Sequence, residues 1–396
     1  MKRYYWWLLV GAITLSTHLQ SAQLDKNDTS DARELNDNKS VDINFDSIAV
    51  FGIDSNPLGL SDELEFEDET FALAGFYSNS QLFDWVFWDI SVEKAQYFDD
   101  ARIDWFTYWA DVKLAHDFSI KTVPFAFELG GKTQHFDETY VDTRTGRIAV
   151  YQEQSIADRF DRDVEAYYFQ LSYPMSTRGH IGLTYSEQKN DYQDYAIDEL
   201  DNLDNDEVTT QLSFVFYPAQ FSEFYLNFSE TKREYLMRQD RDLAGELIAE
   251  TVLQFHDYIT DIGFRYLPSE RNQWQFGFSY TNRSSQGTQY YDSQRGQLFI
   301  EGEFNLADFH RLKTRLDYQT FFYDESLGQT MAYFEKDDID RHGATLSIEY
   351  TLTLATLLDS HLSFYGRLSA SQFESNDRRY AFERQQIMAG FRWYLK

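Results

Sequence analysis

The sequence closes with Gln386-Ile387-Met388-Ala389-Gly390-Phe391-Arg392-Trp393-Tyr394-Leu395-Lys396, in which apolar and polar residues alternate. Successive side chains of a β-strand point to opposite faces. One face of this strand is therefore apolar, with Phe391 and Trp393 toward its end, and the other face carries Gln386 and Arg392. The pattern predicts a strand with one face suited to hydrocarbon and the other to water. An edge strand of a soluble β-protein is the alternative when the stretch is taken alone.

The composition favours β-structure in a single domain. Aromatic residues make up 18% of the 396 residues and there are five prolines, and a sequence rich in aromatics with few breakers favours strands. No change of composition marks a domain boundary. The lack of cysteine excludes disulfides and thiolate metal sites. Because the formal charge is −31, we expect no nucleic-acid partner.

The N-terminus predicts an export signal. Lys2 and Arg3 precede an apolar run, Tyr4 to Leu15, that is too short to span a bilayer as a helix. We predict a signal peptide over residues 1–22, cleaved after Ala22, with an interfacial anchor as the alternative. Residues 23–40 are polar and lack periodicity, which predicts a flexible periplasmic leader, and residues 41–396 are assigned to one domain.

Most of the chain repeats the alternation of its last strand. In the second predicted strand, Phe71, Leu73 and Tyr77 share the apolar face before a turn at Ser78 to Gln81, and a further turn is predicted at His116 to Phe118. The spacing of turns and loops predicts sixteen strands, with fourteen or eighteen as the alternatives. Short turns near residues 79, 117, 176, 220, 270, 308 and 357 alternate with long polar loops near residues 60, 99, 148, 198, 245, 290, 332 and 378.

This arrangement of apolar faces, short turns, long loops and a closing strand resembles the porin-like outer-membrane barrels of Gram-negative bacteria. A closed barrel of sixteen strands is too wide for its side chains to fill, so the apolar faces must contact lipid. The resemblance implies an all-β, transmembrane, antiparallel up-and-down β-barrel in the cell outer membrane, with short periplasmic turns and long outer loops. It also implies contact with outer-membrane lipid and lipopolysaccharide, and insertion by the barrel-assembly machinery through the C-terminal strand. The oligomeric state stays open.

The inward phase of the C-terminal half is rich in charge. Arg311, Lys313 and Arg315 share one face of a strand, which we call the basic ladder, and the preceding strand presents Glu301 and Glu303. One interpretation is a water-filled channel whose basic ladder orients or selects a solute. The other is a set of cross-strand ion pairs that stiffens the wall. The predicted pore-lining residues are Arg265, Glu301, Glu303, Arg311, Lys313, Arg315, Asp317, Glu349, Arg367 and Arg392.

The longest irregular stretch, Gln134 to Asp163, is the third long loop in this count. In sixteen-stranded porins, which the chain resembles in strand number and loop order, the third loop folds into the barrel and narrows it. The resemblance thus implies an inward loop whose acids would face the basic ladder, and an exposed loop is the alternative. The middle of the stretch, Arg147 to Ile156, is predicted to hold an inserted hairpin.

Two outer loops are strongly acidic. Their spacing differs from that of an EF-hand, which needs a glycine and a terminal glutamate at set positions. We expect solvated loops and no cofactor, with loose Ca²⁺ or Mg²⁺ binding beside lipopolysaccharide phosphates as the alternative. The residues concerned are Asp194, Asp198, Glu199, Asp201, Asp204 and Asp206, and Glu335, Asp337, Asp338 and Asp340.

The first predicted strand ends in Phe51-Gly52-Ile53-Asp54-Ser55-Asn56-Pro57. This stretch is similar to the Asp-Ser-Asn or Asp-Asp-Asn signature that opens the barrels of polysaccharide-export proteins and surface lipoprotein assembly modifiers. Those families carry helical repeats before the barrel, and no such repeats precede this strand. The same residues also form ordinary turns. The resemblance implies an export barrel for a polysaccharide or a surface lipoprotein as the alternative to a channel.

Common catalytic motifs are missing from the sequence. It contains no nucleophile elbow, zinc-protease motif, P-loop or dinucleotide fingerprint. His361 and Ser363 form a close histidine–serine pair, and both fall at a predicted periplasmic turn. We therefore expect no enzyme. The sequence favours a porin-like channel that passes small hydrophilic solutes or oligosaccharides through a charged lumen.

Overall fold

The computed structural model of the protein describes residues 42–395 apart from 62–67, 84, 99–102, 121–122, 138, 143–146, 196–201, 270, 324–338, 358–359 and 378–379. Sixteen antiparallel strands form one closed barrel, which confirms the predicted fold class and strand number. The predicted signal peptide and leader lie outside the described residues. No helix in the described part of the chain is long and apolar enough to span a membrane. The barrel strands are β1 (Asp42–Asp54), β2 (Glu69–Phe83), β3 (Val86–Tyr97), β4 (Trp105–Ile120), β5 (Val123–Asp137), β10 (Arg162–Ser176), β11 (Gly179–Tyr192), β12 (Asn205–Ala219), β13 (Ser222–Tyr235), β14 (Gln254–Ser269), β15 (Asn272–Ser285), β16 (Ser293–Ala307), β17 (His310–Tyr323), β18 (Ile339–Leu357), β19 (Ser360–Ser375) and β20 (Phe382–Leu395); between β5 and β10 lie the short strands β6 (Val141–Asp142), β7 (Arg147–Ile148), β8 (Val150–Tyr151) and β9 (Gln154–Ser155).

The outer surface of the barrel is apolar along most strands, as predicted. In β20, Ile387, Phe391 and Trp393 are 57%, 54% and 51% exposed, whereas Met388 on the opposite phase is 8% exposed. A side chain that points away from the barrel has no protein beyond it, so the alternation in exposure assigns the apolar phase to the outside. The stretch that closes the sequence therefore has the two faces that its pattern predicts.

Short connections lie at one rim of the barrel and long connections at the other. The first and last strands meet at the short-turn rim, where Phe45 of β1 pairs with Leu395 of β20. At the long-loop rim, Asp54 at the end of β1 pairs with Gln386. The alternation of short and long connections along the chain is confirmed.

Two predicted turns are wrong. The residues from Ser78 to Gln81 belong to β2, which continues to Phe83. The residues from His116 to Phe118 belong to β4, which continues to Ile120. In β2, Ser78 Oγ donates a 3.0 Å hydrogen bond to the carbonyl oxygen of Asn44 on β1. The ladder with the neighbouring strand here outweighs the turn preference of short polar residues.

The inner face of β2 carries Phe71, Leu73 and Tyr77, which reverses the prediction for that strand. Phe71 is 2% exposed and packs on Tyr97 with ring centroids 5.4 Å apart. Gly52 lies opposite Phe71, and a Cβ atom there would come within 2.6 Å of the ring. The outward phase of β2 carries small residues such as Ala72 and Ala74. The prediction was wrong because it assigned the bulkier phase to lipid, whereas the interior of the barrel holds it.

The third long connection, 138–161, contains two small hairpins. The pairing of β8 with β9 confirms the hairpin predicted between residues 147 and 156. Its two turn residues, Gln152 and Glu153, have φ of 47° and 67°, as a two-residue hairpin turn requires. The connection is shorter than predicted because β5 and β10 continue their ladder into the stretch assigned to the loop. The folding of this connection into the lumen stays a prediction.

Asp54 fastens the first strand to the last one at the long-loop rim. Its side chain is fully buried and accepts hydrogen bonds from Arg384 Nε at 3.0 Å and Gln386 Nε2 at 2.9 Å. Two residues later, the Asn56 side chain donates a 3.0 Å hydrogen bond to the Glu383 carbonyl oxygen. The Asp-Ser-Asn stretch therefore has a structural role in closing the barrel.

Replacing Asp54 with Asn is expected to weaken this closure. The change removes the carboxylate that faces Arg384, and breaking a buried ion pair costs about 3 kcal/mol, the low end of the usual range because Arg384 is one-third exposed. The temperature at which the folded barrel loses its fast migration on detergent gels should fall. Asp308→Asn is the matched control, since the Asp308–Arg271 pair is exposed. Equal shifts for the two variants would contradict the role of Asp54.

Candidate functional site

The lumen wall is the candidate site, and the strand register places all ten predicted pore-lining residues on its inward phase. Outward neighbours in the same strands, such as Ile300, Leu316 and Leu368, are exposed apolar residues, so the alternate positions face the interior. The ten residues lie on β14 and β16 to β20 and thus on one side of the barrel. Their contact with a passing solute stays a prediction.

The basic ladder is matched by acids on the adjacent strand. Arg311 Nη2 lies 2.6 Å from Glu303 Oε2, and Lys313 Nζ lies 3.2 Å from Glu301 Oε1. These are cross-strand ion pairs of the kind that stiffens a sheet. They leave this part of the wall with alternating charge and not with an uninterrupted basic surface.

Arg315 has the most contacts of the three ladder residues. Its guanidinium lies 3.4 Å from Glu301 and 2.8 Å from Asp317, and it stacks over the Phe299 ring at 4.4 Å. Phe299 in turn covers Gly277 of β15, where a Cβ atom would lie 2.1 Å from the ring. The position of this guanidinium therefore depends on a glycine two strands away.

The remaining predicted residues also lie in ion pairs. The register aligns Glu303, Lys313, Glu349 and Arg367 in one row across β16 to β19, so that acid and base alternate from strand to strand. Opposite charges on adjacent strands attract each other. The other pairs are Arg367–Glu349 at 3.7 Å, Arg265–Glu223 at 3.9 Å, and Arg392–Asp46.

At several places along the wall, an aromatic ring covers a glycine of the neighbouring strand. Tyr225 covers Gly263, and Tyr168 covers Gly130; a Cβ atom at either glycine would lie within 2.3 Å of the ring. Large side chains next to glycine are a known way of packing a curved sheet. A ring in this position lies against the wall of the barrel and does not extend across the lumen.

The opposite side of the wall, on β3 to β5, carries acids that sequence analysis did not single out, together with Lys113, which lies 3.5 Å from Glu128, and Lys132, which is the register partner of Asp111. Asp89 and Asp111 are directly opposed on β3 and β4. Tyr77 donates a 2.8 Å hydrogen bond to Asp89, and Tyr168 donates a 3.1 Å hydrogen bond to Asp111. The alternation within β3 and β4 contains the signal that would have found these residues.

Sequence analysis also missed arginines on the inward phase near the long-loop rim. Arg233 Nη2 lies 2.6 Å from Glu207, and Arg283 binds both oxygens of Asp257 at 2.7 and 2.6 Å. Both pairs are largely buried, and such two-point contacts are the strong form of the ion pair. Arg295 and Arg341 follow them along the wall.

No cluster of three or more potential metal ligands lies among the described residues. Asp194, Asp204, Asp206 and Asp340 of the predicted acidic loops fall within the described chain. The loose binding of Ca²⁺ or Mg²⁺ stays untested. The other acidic residues named for these loops, Asp198, Glu199, Asp201, Glu335, Asp337 and Asp338, lie outside the described ranges.

The histidine–serine pair near the short-turn rim has other contacts. His361 Nδ1 lies 3.0 Å from Thr356 Oγ1, and the His361 ring stacks on Tyr394 with centroids 6.3 Å apart. Ser363 is buried, while His361 is exposed. His361 is the second residue of β19, next to the short turn, and these contacts give its side chain a structural role.

Changing Arg311, Lys313 and Arg315 together to Ala is expected to shift ion selectivity toward cations. The change leaves Glu301 and Glu303 on the wall without their counter-charges. The reversal potential in a salt gradient across a planar bilayer measures the shift. Glu301→Gln with Glu303→Gln is the reciprocal variant and should shift selectivity toward anions. Unchanged potentials in both variants would remove these residues from the path of the ions.

Replacing Gly277 with Ala is expected to destabilise the barrel by about 1–3 kcal/mol. The new Cβ atom would force the Phe299 ring, and the guanidinium stacked on it, out of position. Denaturant unfolding in detergent measures the loss. Gly366→Ala is the matched control because the heavy atom nearest to the new Cβ atom would be 3.8 Å away. If both variants lose the same free energy of unfolding, the packing of the Phe299 ring over Gly277 contributes nothing to the stability of the barrel.

No protein-family model and no curated protein matches the sequence. Among solved structures, the chain is similar to outer-membrane-expressed OmpT of Vibrio cholerae (10% identity, 91% of this chain and 100% of that chain, TM-score 0.45). It is also similar to OccK2 of Pseudomonas aeruginosa in complex with glucuronate (11%, 90% and 98%, 0.41) and to a bacterial polysaccharide outer membrane secretin (9%, 89% and 98%, 0.38). The strand order and the apolar exterior show a closed sixteen-stranded antiparallel β-barrel whose outer face is suited to lipid.

Proposed function

We propose that the protein is a channel in the outer membrane of a Gram-negative bacterium, where it passes small hydrophilic solutes or oligosaccharides. The observation that carries this proposal is the two-sided wall of a closed barrel. Its outer phase exposes aliphatic and aromatic side chains, and its inner phase carries ion pairs, amides and hydroxyls. Such a wall is stable only with lipid outside and water inside.

The neutral polar groups of the inner wall support a wet lumen. Gln211 donates a 3.0 Å hydrogen bond to Ser213, and Ser229 donates a 3.2 Å hydrogen bond to Gln211. Thr345 and Ser371 form a 2.9 Å hydroxyl pair. Amides and hydroxyls can form further hydrogen bonds, which water supplies in an aqueous interior. A hydrophilic solute exchanges bonds with water for bonds of the same kind with the wall.

The exterior supports a location in a lipid bilayer. Phe276 and Phe278 of β15, and Tyr258 and Tyr266 of β14, are exposed on the outside of the barrel. Tyrosines above and below an apolar band are suited to the two membrane interfaces. We infer that outer-membrane lipid and lipopolysaccharide surround the barrel, that the assembly machinery engages the C-terminal strand, and that the protein catalyses no reaction.

Export of a polysaccharide or a surface lipoprotein is the second candidate. The stretch that suggests it, Asp54-Ser55-Asn56, takes part in closing the barrel through Arg384 and Glu383. The stretch therefore has a structural explanation that requires no export partner. This contact is the reason for preferring the channel.

Purified protein inserted into planar bilayers is expected to give steady open-channel currents. An open lumen conducts ions whenever a voltage is applied, whereas an export barrel should stay closed or nearly so until its partner engages. The same protein unfolded before addition is the control and should give no steps of current. Folded barrels that insert without conducting would overturn the channel and favour export.

A further inference from the structure

Arg295 differs from the predicted ladder residues in its surroundings. It lies on the inward phase of β16, two residues from the long-loop rim, and is half-buried. Its Nη2 atom lies 3.4 Å from the amide oxygen of Gln297. Within the described ranges, no carboxylate lies within 4.0 Å of its guanidinium. The register partners of Arg295, Thr281 and Phe321, are uncharged.

Two further arginines flank Arg295 along the wall. Arg283 on β15 occupies the adjacent inward position nearer the rim, and its guanidinium binds both oxygens of Asp257. On the other side, Phe321 of β17 pairs with Arg295 and with Arg341 of β18. The Arg341 guanidinium lies over the Phe373 ring of β19 at 4.3 Å, on the side away from Arg295, and the Asp257 carboxylate is already engaged by Arg283.

A half-buried cation favours a counter-ion. Removing a charge from water is costly unless an opposite charge compensates for it. The planar guanidinium has paired N–H donors that match the two oxygens of a carboxylate or phosphate group. We propose that Arg295 forms a binding site for the carboxylate or phosphate group of an acidic solute entering from the long-loop side. The inference rests on the proposed channel and names its solute class.

At the long-loop rim around this site, neighbouring connections are held together by side-chain contacts. The fifth long connection, 236–253, is joined to the sixth, 286–292, where the Thr288 amide donates a 3.2 Å hydrogen bond to Asp240. Arg238 lies over the Tyr291 ring at 5.6 Å, and Tyr291 packs edge-on against Phe255 at 5.7 Å. A site held in place before binding loses less conformational entropy when the ligand arrives.

Calorimetric titration of the folded protein in detergent with inorganic phosphate tests the proposal. The wild-type protein should bind phosphate, and Arg295→Gln should weaken binding about tenfold or more, since one charge-assisted contact is lost. Thr281→Asp provides a second test, because residue 281 lies directly beside Arg295 in the register. The carboxylate introduced at position 281 should pair with the Arg295 guanidinium and neutralise its charge. The barrel should therefore stay folded but no longer bind phosphate.

Arg271→Gln is the matched control, since Arg271 is an exposed turn residue paired with Asp308. It should bind phosphate as the wild type does. Failure of the wild type to bind, or phosphate binding by the Arg295→Gln and Thr281→Asp variants as tight as that of the wild type, would overturn the site. Conductance of the same samples separates the two proposals: open channels without phosphate binding retain the channel and reject the site. Phosphate binding to a barrel that never conducts retains the site and rejects the channel.

Discussion

The backbone hydrogen bonds of a membrane-spanning chain must all be made within the protein, because lipid offers no partners. This constraint explains why every one of the sixteen barrel strands pairs on both sides and why the last strand returns to the first. It also imposes the two-residue period of the side chains, since a paired strand has one face toward lipid and one toward the lumen. The apolar exterior and the polar interior follow from that period.

The inner wall has to place charged groups next to a sheet without leaving them uncompensated. It does so by register: acids and bases alternate across strands, as in the row from Glu303 to Arg367. Glycine provides the other adjustment, because rings such as Phe299 need the space that Gly277 leaves. In the predicted basic ladder, most positive charges are therefore compensated by neighbouring acids. The less compensated charge, that of Arg295, lies nearer the long-loop rim.

The sequence was sufficient to predict the number of strands, the two rims and the lipid-facing phase of most strands, because these depend on local periodicity and turn spacing. It was insufficient for β2, where the bulky residues, Phe71 among them, occupy the interior over Gly52. It was also insufficient for the choice between a basic ladder and ion pairs. That choice depends on which residues face each other across strands, and register is a property of pairs of segments. Arg295 could be distinguished from Arg315 only after Thr281 and Phe321 were known to flank it.

The contact between Asp54 and Gln386 joins positions 332 residues apart in the chain. Pairings of such separation form late and slowly, because the loop between them must first be ordered. Until the final segment has been synthesised and delivered, β1 has one unpaired edge, and exposed edges invite association with other chains. Closing this ring is therefore the step of biogenesis in which the protein most needs a chaperone. A nonsense mutation that removes only β20 would leave an open sheet and not a narrower pore.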